Sequence, residues 1–250
     1  MEVIQILKRN LSHFLTWSLW GILIANIKKS VNFHGAEVNI SNPNMPNRVK
    51  AAVFWNIYES AEARLLKKWL PANIPVVELG ASLGIISKLI RSISREPMYC
   101  VEANPSVIPS IQFNLNSVTD SKHLIIQKAI HYDSDDVLFN WSSGENLTGR
   151  IDPRGTERVE CITLSTILEE NQLKNIVLVM DIEGAEIQII RNDELALQKC
   201  VMIFAELHAT SYQGNSYTVE EINNLIQDKG FHLLAKDGNC FAFSRTESYI

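Results

Sequence analysis

The sequence predicts an open, mostly parallel α/β sheet with helices on both faces, closed by a C-terminal antiparallel hairpin. Three observations carry this reading. Apolar runs of strand length alternate with stretches of helical spacing between residues 74 and 243. The run at 74–79 turns on Gly80 and Gly84 straight into the helically spaced residues 85–90. Two short apolar runs near the C-terminal end are joined by Asp237-Gly238, a dipeptide typical of tight hairpins.

In chain order, residues 11–27 carry no charge and include Phe14, Trp17, Trp20, Ile22, Leu23 and Ile24, interrupted by Ser12, His13, Thr16, Ser18 and Asn26. A bilayer span needs about 20 predominantly apolar residues. Lys8 and Arg9 before the stretch balance Lys28 and Lys29 after it, so no charge asymmetry sets an orientation. An amphipathic helix packed on the domain or on a partner is expected, with membrane association through residues 11–27 as the lesser alternative. Residues 31–40 suit a short strand, and the Pro- and Asn-rich loop at 41–47 marks a boundary. An N-terminal extension at 1–48 and a single domain at 49–250 follow.

A helix over 51–70, stopped by Pro71, places Tyr58, Glu59 and Glu62 one turn apart, as on a solvated face. Strands are expected at 74–79, 98–101, 123–130, 159–164, 176–180, 201–205, 231–235 and 240–243. The run at 176–180 is continuously apolar, as a strand covered on both faces should be. Helices are expected over 105–116, 166–171 and 219–229 and from residue 187. Residues 141–158 and 210–217 read as irregular segments bordering the strand ends.

The chemistry gathers at those ends. Glu78, Glu102, Asp181 with Glu183, and Glu206 with His208 each close an apolar strand at its carboxyl end. Ligands of open α/β sheets bind there. Any one such acid is ordinarily a surface residue, but four strand ends together point to one crevice. Glu102 lies 24 residues beyond Glu78, at the tip of the second strand, where an acid can accept hydrogen bonds from both hydroxyls of a ribose. The glycine spacing is G-x-x-x-G, not G-x-G-x-x-G, and Glu78 two residues before Gly80 opposes a pyrophosphate but suits a cation. S-adenosylmethionine has a ribose, no phosphate, an ammonium and a sulfonium, and is the expected cofactor.

Composition narrows the alternatives. The 250 residues suffice for one large core, and 28 acids against 23 Lys plus Arg give a net charge of −5 without a run of five like charges. That argues against a nucleic-acid partner, whose backbone needs clustered positive charge. Four cysteines stand singly and the six histidines form no H-x-x-x-H pair, so zinc is not expected; reduced thiols suit the cytoplasm. No metal is assigned, although Asp181, Glu183 and Glu206 have the oxygen chemistry that hard divalent cations favour.

The glycine loop, Val101-Glu102-Ala103-Asn104-Pro105, Asp181-Ile182-Glu183-Gly184-Ala185-Glu186 and Glu206-Leu207-His208, preceded by Tyr58-Glu59-x-x-Glu62, occur in that order. Through them residues 50–245 resemble the FkbM-type methyltransferases of the class I S-adenosylmethionine-dependent fold, the D-x-E-G-x-E block being the most specific. The resemblance implies a seven-stranded Rossmann-like sheet and methyl transfer to a hydroxyl of a sugar or secondary-metabolite-like small molecule. It implies that Glu78, Gly80, Ala81, Ser82 and Gly84 hold the methionine part and Glu102 and Asn104 the ribose. Lys128 and Ala129 would lie by the adenine, with Tyr58 and Asp181 as further cofactor contacts. Ser82, Ser165 and Val179 stand where the family usually has Asn, Asp and Lys. The last two departures would suit the alternative of a catalytically degenerate binding or partner subunit. For catalysis a base must take the hydroxyl proton. Asp181 or Glu183 would orient the hydroxyl, assisted by Glu206 or by His208, whose ordinary pKa is about 6.5.

Overall fold

The computed structural model describes residues 14–116, 122–141, 149–152 and 154–245. The described chain begins with helix α1 (Ser18–Ile27), a hairpin of β1 (Ser30–Phe33) and β2 (Ala36–Asn39), and helices α2 (Asn47–Phe54) and α3 (Ser60–Trp69). Strands β3 (Val76–Leu79), β4 (Met98–Val101) and β5 (His123–Ile126) then alternate with α4 (Ile85–Ile93) and α5 (Ile108–Leu115). A separate four-stranded sheet holds β6 (Ala129–Ile130), β7 (Asp136–Trp141), β8 (Gly149–Ile151) and β9 (Glu157–Ile162). Helix α6 (Leu164–Glu170) leads to β10 (Ile176–Met180), and α7 (Glu186–Asn192) and α8 (Glu194–Lys199) lead to β11 (Cys200–Glu206). A hairpin of β12 (Thr210–Tyr212) and β13 (Asn215–Tyr217), helix α9 (Val219–Asp228), and the hairpin of β14 (His232–Asp237) and β15 (Cys240–Ser244) complete it.

The main sheet has seven strands in the order β14-β15-β11-β10-β3-β4-β5. β3 pairs in parallel with β4 and β10, while β15 runs antiparallel to both β11 and β14. The strand order reverses between β3 and β10, which opens a crevice at their carboxyl ends. Successive side chains alternate faces. Val76, Val177, Val179, Met202 and Phe204 pack with apolar residues of α3, α4 and α5 and with Phe33 and Val38 of the first hairpin. Val77, Leu79, Leu178, Met180 and Ile203 pack with apolar residues of α6, α7, α8 and α9. Every residue of β10 is buried, as its unbroken apolar run requires.

The structure departs from the sequence reading where periodicity says strand or helix but not which partner. The helix expected over 51–70 breaks into α2 and α3, with Asn56 and Glu59 in the left-handed region. The acids on it are not a solvated face: Glu62 is 6% exposed. The strand expected at 123–130 divides, β5 joining the main sheet and β6 pairing with β9, and the run at 159–164 belongs with β9 in the small sheet. Residues 31–40 form two strands turning at His34 and Gly35 instead of one. In the loop at 41–47, the buried Asn42 side chain donates to Ser110 Oγ at 2.7 Å and Met45 joins the core. Of the irregular segment at 141–158, residues 142–148 and 153 lie outside the described residues, as do residues 11–13 of the uncharged N-terminal stretch. Among the described residues no helix is long and apolar enough to cross a membrane.

Candidate active site

The crevice is a cavity of about 500 Å³ at the carboxyl ends of the strands. The glycine loop forms part of its wall. Gly80 N–H and Ala81 N–H donate to the Val101 carbonyl at 2.9 and 3.2 Å, which ties the loop to β4. Gly80 has φ +87°, and an added Cβ would collide with the Asp181 carbonyl oxygen. Across Gly84 the new helix meets α5, where an added Cβ would lie 2.8 Å from Ile111 Cα. Ser82 sits at φ +47°. Asn tolerates that conformation better than Ser, which gives a physical reason for the family's usual residue.

Glu102 is fixed by the loop it faces: Ser82 N–H donates to Oε2 and Asn104 N–H to Oε1, both at 2.8 Å. Burial raises its pKa against these backbone donors. Ala103 N–H is a further donor, and the two oxygens together offer about four acceptor sites, more than these three donors fill. Gly80, Ser82, Glu102, Lys128, Ala129, Asp181 and Glu183 line the cavity, as does Glu59. Apolar walls come from Ile130, Phe139 and Ile151 of the small sheet, and Thr210, Ser211 and Tyr212 add the β12–β13 hairpin. Both irregular segments expected to border the site therefore contribute to it. Lys128 Nζ is paired with Glu160 at 3.2 Å.

Other expected contacts stand behind this lining. Tyr58 shares a side-chain hydrogen bond with Ser82, and burial raises the pKa of its hydroxyl. Glu78 accepts from Ser87 Oγ at 2.5 Å, 2% exposed, and burial pushes its pKa up to about 7. Asn104 spends its side-chain oxygen on the Ser106 N–H and hydroxyl. Ala81, Gly84, Glu206 and His208 likewise fall outside the cavity wall.

At the tips of β10 and β11 the acids crowd. Burial, then the charges of Glu206 and Glu59, raise Asp181 to about 8; burial, then Glu206 and Glu183, raise Glu59 to about 7. Glu62 behind them is raised by burial and by the charges of Asp181, Glu59, Glu78 and Glu206. His208 is their cation. Its Nδ1 lies 3.3 Å from Glu186 Oε1, and its Nε2 lies 3.8 Å from Glu183 Oε2 and 3.9 Å from Asp181 Oδ1. The hydrogen bond to Glu186 is the main cause of a pKa of about 9. An imidazole base of ordinary pKa is therefore not what the fold provides, since His208 carries its proton at neutral pH. Asp181 Oδ1 is buried without a hydrogen-bond partner among the described residues.

Sequence reading assigned no role to Glu186, although the third acid of D-x-E-G-x-E was its signal. Fully buried at the start of α7, it accepts from Ile182 N–H at 3.1 Å as well as holding His208. Donor atoms of Glu59, Asp181 and Glu206 lie within 4.8 Å of one another, as do those of Asp181, Glu186 and His208, spacings that an ion could bridge; Glu183 belongs to neither set. Ser165 and Val179 lie off the cavity. Ser165 N–H donates to Asp193 Oδ2 at 2.8 Å and its hydroxyl to Oδ1, while Tyr132 donates to the same carboxylate at 2.6 Å. Val179 is buried in register with Glu78.

Asp181, Glu59, Glu78 and His208 all hold protons more tightly folded than unfolded. Stability then falls with rising pH wherever the native state binds more protons. For the carboxyls the fall begins near their unfolded pKa of about 4, and for His208 near about 6.5. It ends as pH passes the folded values of about 7 to 9. The melting temperature of the cofactor-free protein should drop by several degrees between mildly acid and mildly alkaline buffer, taking about 2–4 °C per kcal/mol. Calorimetric scans across that range check this, and an unchanged melting temperature would mean that the cluster titrates normally.

A doubly wound sheet with a bare glycine turn, an acid at the tip of the second strand and an acidic end suited to a cation defines a Rossmann-like methyltransferase. The residues fit S-adenosylmethionine: Glu102 has free lone pairs, no side chain intervenes at Gly80, and the acids answer positive charge instead of phosphate. The chain belongs to the FkbM methyltransferase family, whose domain, described as "Methyltransferase FkbM domain", matches residues 80–233. It is an S-adenosylmethionine-dependent methyltransferase. Among solved structures it is similar to magnesium protoporphyrin IX methyltransferase from Synechocystis, at 10% identity over 75% of this chain and 77% of that one, TM-score 0.42. It is also similar to TrmK from M. capricolum, at 11% identity over 74% and 67%, TM-score 0.40. A SAM-dependent methyltransferase from Aquifex aeolicus aligns at 11% identity over 73% and 87%, TM-score 0.37. No curated protein matches the sequence.

Proposed function

We propose that this enzyme is an O-methyltransferase acting on a hydroxyl of a small polyhydroxylated acceptor, a sugar or secondary-metabolite-like molecule. The observation that carries the reading is Asp181. It lines the cavity with a side chain that is 28% exposed, and its pKa of about 8 lies near working pH. An acceptor hydroxyl in the cavity can donate to its exposed side, and a base poised near neutrality is matched to taking its proton. When bound, the cofactor supplies a methyl group on a positively charged sulfur. The chain holds the acceptor oxygen and removes its proton: Asp181 is the base, Glu183 orients the hydroxyl, and protonated His208, fixed by Glu186, positions both carboxylates. Glu206 raises Asp181 from behind. Glu102 takes the ribose hydroxyls, Gly80 and Ser82 the methionine side, and Lys128 and Ala129 flank the adenine. Residues 49–250 make up the methyltransferase domain and 1–48 its extension, acting in the cytoplasm, in keeping with four free cysteines. Ser165 and Val179 do not touch the cavity, so the degenerate alternative draws no support from them.

Titration calorimetry with S-adenosylmethionine and S-adenosylhomocysteine tests the cofactor site. Each hydrogen bond to a charged acceptor contributes about 1.5–3 kcal/mol, so Glu102→Ala should weaken both ligands by about 10²-fold or more. Methyl-labelled cofactor and a panel of hydroxylated compounds then test the acceptor. Labelling of amines but not of hydroxyls would overturn the O-methyl reading.

A further inference from the structure

Helix α1 is apolar apart from Ser18 and Asn26, yet only one side of it is used by the fold. Gly21 and Ile24 are buried, Trp20 packs on the core, and Gly21 lies so close to α2 that an added Cβ would collide with the Asn47 carbonyl. The opposite side carries Leu19, Ile22, Leu23 and Ile27, four positions that share a helix face by their spacing, with Asn26 as the one polar residue among them. They are large and open to solvent, Leu23 at 53% and Ile27 at 81% exposure. Phe14 and Trp17 extend the exposed surface before the helix, and Trp55 at the end of α2 is 41% exposed. Scattered exposed apolar residues are ordinary in folded proteins, but a run of this length on one element marks a docking surface.

Charge identifies the occupant. Residues 1–36 contain one acid, Glu2, against Lys8, Arg9, Lys28 and Lys29, in a chain whose net charge is −5. Lys28 and Lys29 are exposed at the end of the helix, with Lys28 Nζ 5.9 Å from the Phe54 ring centroid and Phe54 edge-on to Trp55. Tryptophan and lysine beside an apolar helix face are the parts of an interfacial membrane anchor: the rings sit at headgroup depth and the cations meet anionic lipid. A helix of 10 residues is about 15 Å long, half the hydrocarbon thickness, so it lies in the interface and does not span.

We propose that the exposed face of α1, with Trp17, Trp55, Lys28 and Lys29, docks the enzyme on an anionic lipid surface. The test is co-sedimentation of the full chain with vesicles of phosphatidylcholine plus phosphatidylserine, against phosphatidylcholine alone. The expected result is sedimentation with the anionic vesicles that salt weakens and that Leu23→Glu abolishes. Lys28→Gln and Lys29→Gln should each weaken binding about fivefold, from about 1 kcal/mol per basic residue at an anionic surface. Unchanged melting temperature and unchanged S-adenosylhomocysteine binding show that the variants fold. A wild-type chain that stays in solution with both vesicle types overturns the proposal, and so does a Leu23→Glu variant that sediments like wild type. Dimers that Leu23→Glu converts to monomers, without vesicle binding, would assign the face to a second copy instead.

Discussion

Asp181→Asn is expected to abolish methyl transfer and, at the same time, to raise the melting temperature. The loss follows from its assignment as base: a positioned proton acceptor contributes about 10²–10⁴ in rate, and an amide cannot take a proton at this pH. The gain follows from the electrostatics of the cluster. Asp181 is held against Glu206, Glu59 and Glu183, with one cation, His208, among them. Removing one carboxylate relieves that repulsion and leaves the shape of the side chain unchanged. The gain should be several degrees near pH 8, where part of the wild-type population carries the charge. It should shrink toward pH 5, where the wild-type carboxyl is already protonated. Melting scans of both proteins at the two pH values can be run before any acceptor is known, and labelled methyl transfer follows once one is found. A variant destabilised at both pH values would show that Asp181 is a structural partner, and retained turnover would move the base to another acid.

The same residues show how much of the molecule was legible beforehand. The parallel sheet, the glycine turn and the terminal hairpin could be read because each has a local signature: an apolar run, a spacing, an Asp-Gly. Glu102 could be placed because its distance from the glycine turn is set by one βαβ unit. What could not be read was decided by contacts between distant segments. Glu59 sat within a helical pattern, and only a left-handed turn at Asn56 and Glu59, between α2 packed on α1 and α3 packed on β11, β14 and β15, sends it to the cavity and leaves Glu62 buried. The protonation of His208 depends on Glu186, 22 residues away in sequence and 3.3 Å away in space. A motif announces that such residues matter, but their charge states come from what the fold puts beside them.

Gly80→Ala should be strongly damaging, for two separable reasons. At φ +87° an L side chain is strained, which costs about 1–2 kcal/mol. The added methyl would also overlap the Asp181 carbonyl oxygen, and that atom cannot retreat: Asp181 N–H donates to the Leu79 carbonyl at 3.0 Å, binding the two strand ends together. Overpacking against a fixed neighbour adds about 1–3 kcal/mol or more. Together these should lower the melting temperature by roughly 10 °C, at about 2–4 °C per kcal/mol for a chain of this size. Gly238→Ala separates the two causes, because Gly238 also has positive φ, +64°, but an added Cβ there meets nothing within 4 Å. It should show the strain alone, with cofactor affinity unchanged. In Gly80→Ala, whatever protein stays folded should bind S-adenosylmethionine weakly, since a shift of the Asp181 backbone moves the acid that faces the acceptor and the loop that faces the cofactor in one step. Equal losses in the two variants would mean that the collision relaxes freely, and the close approach of β3 to β10 would then not be what sets the geometry of the site.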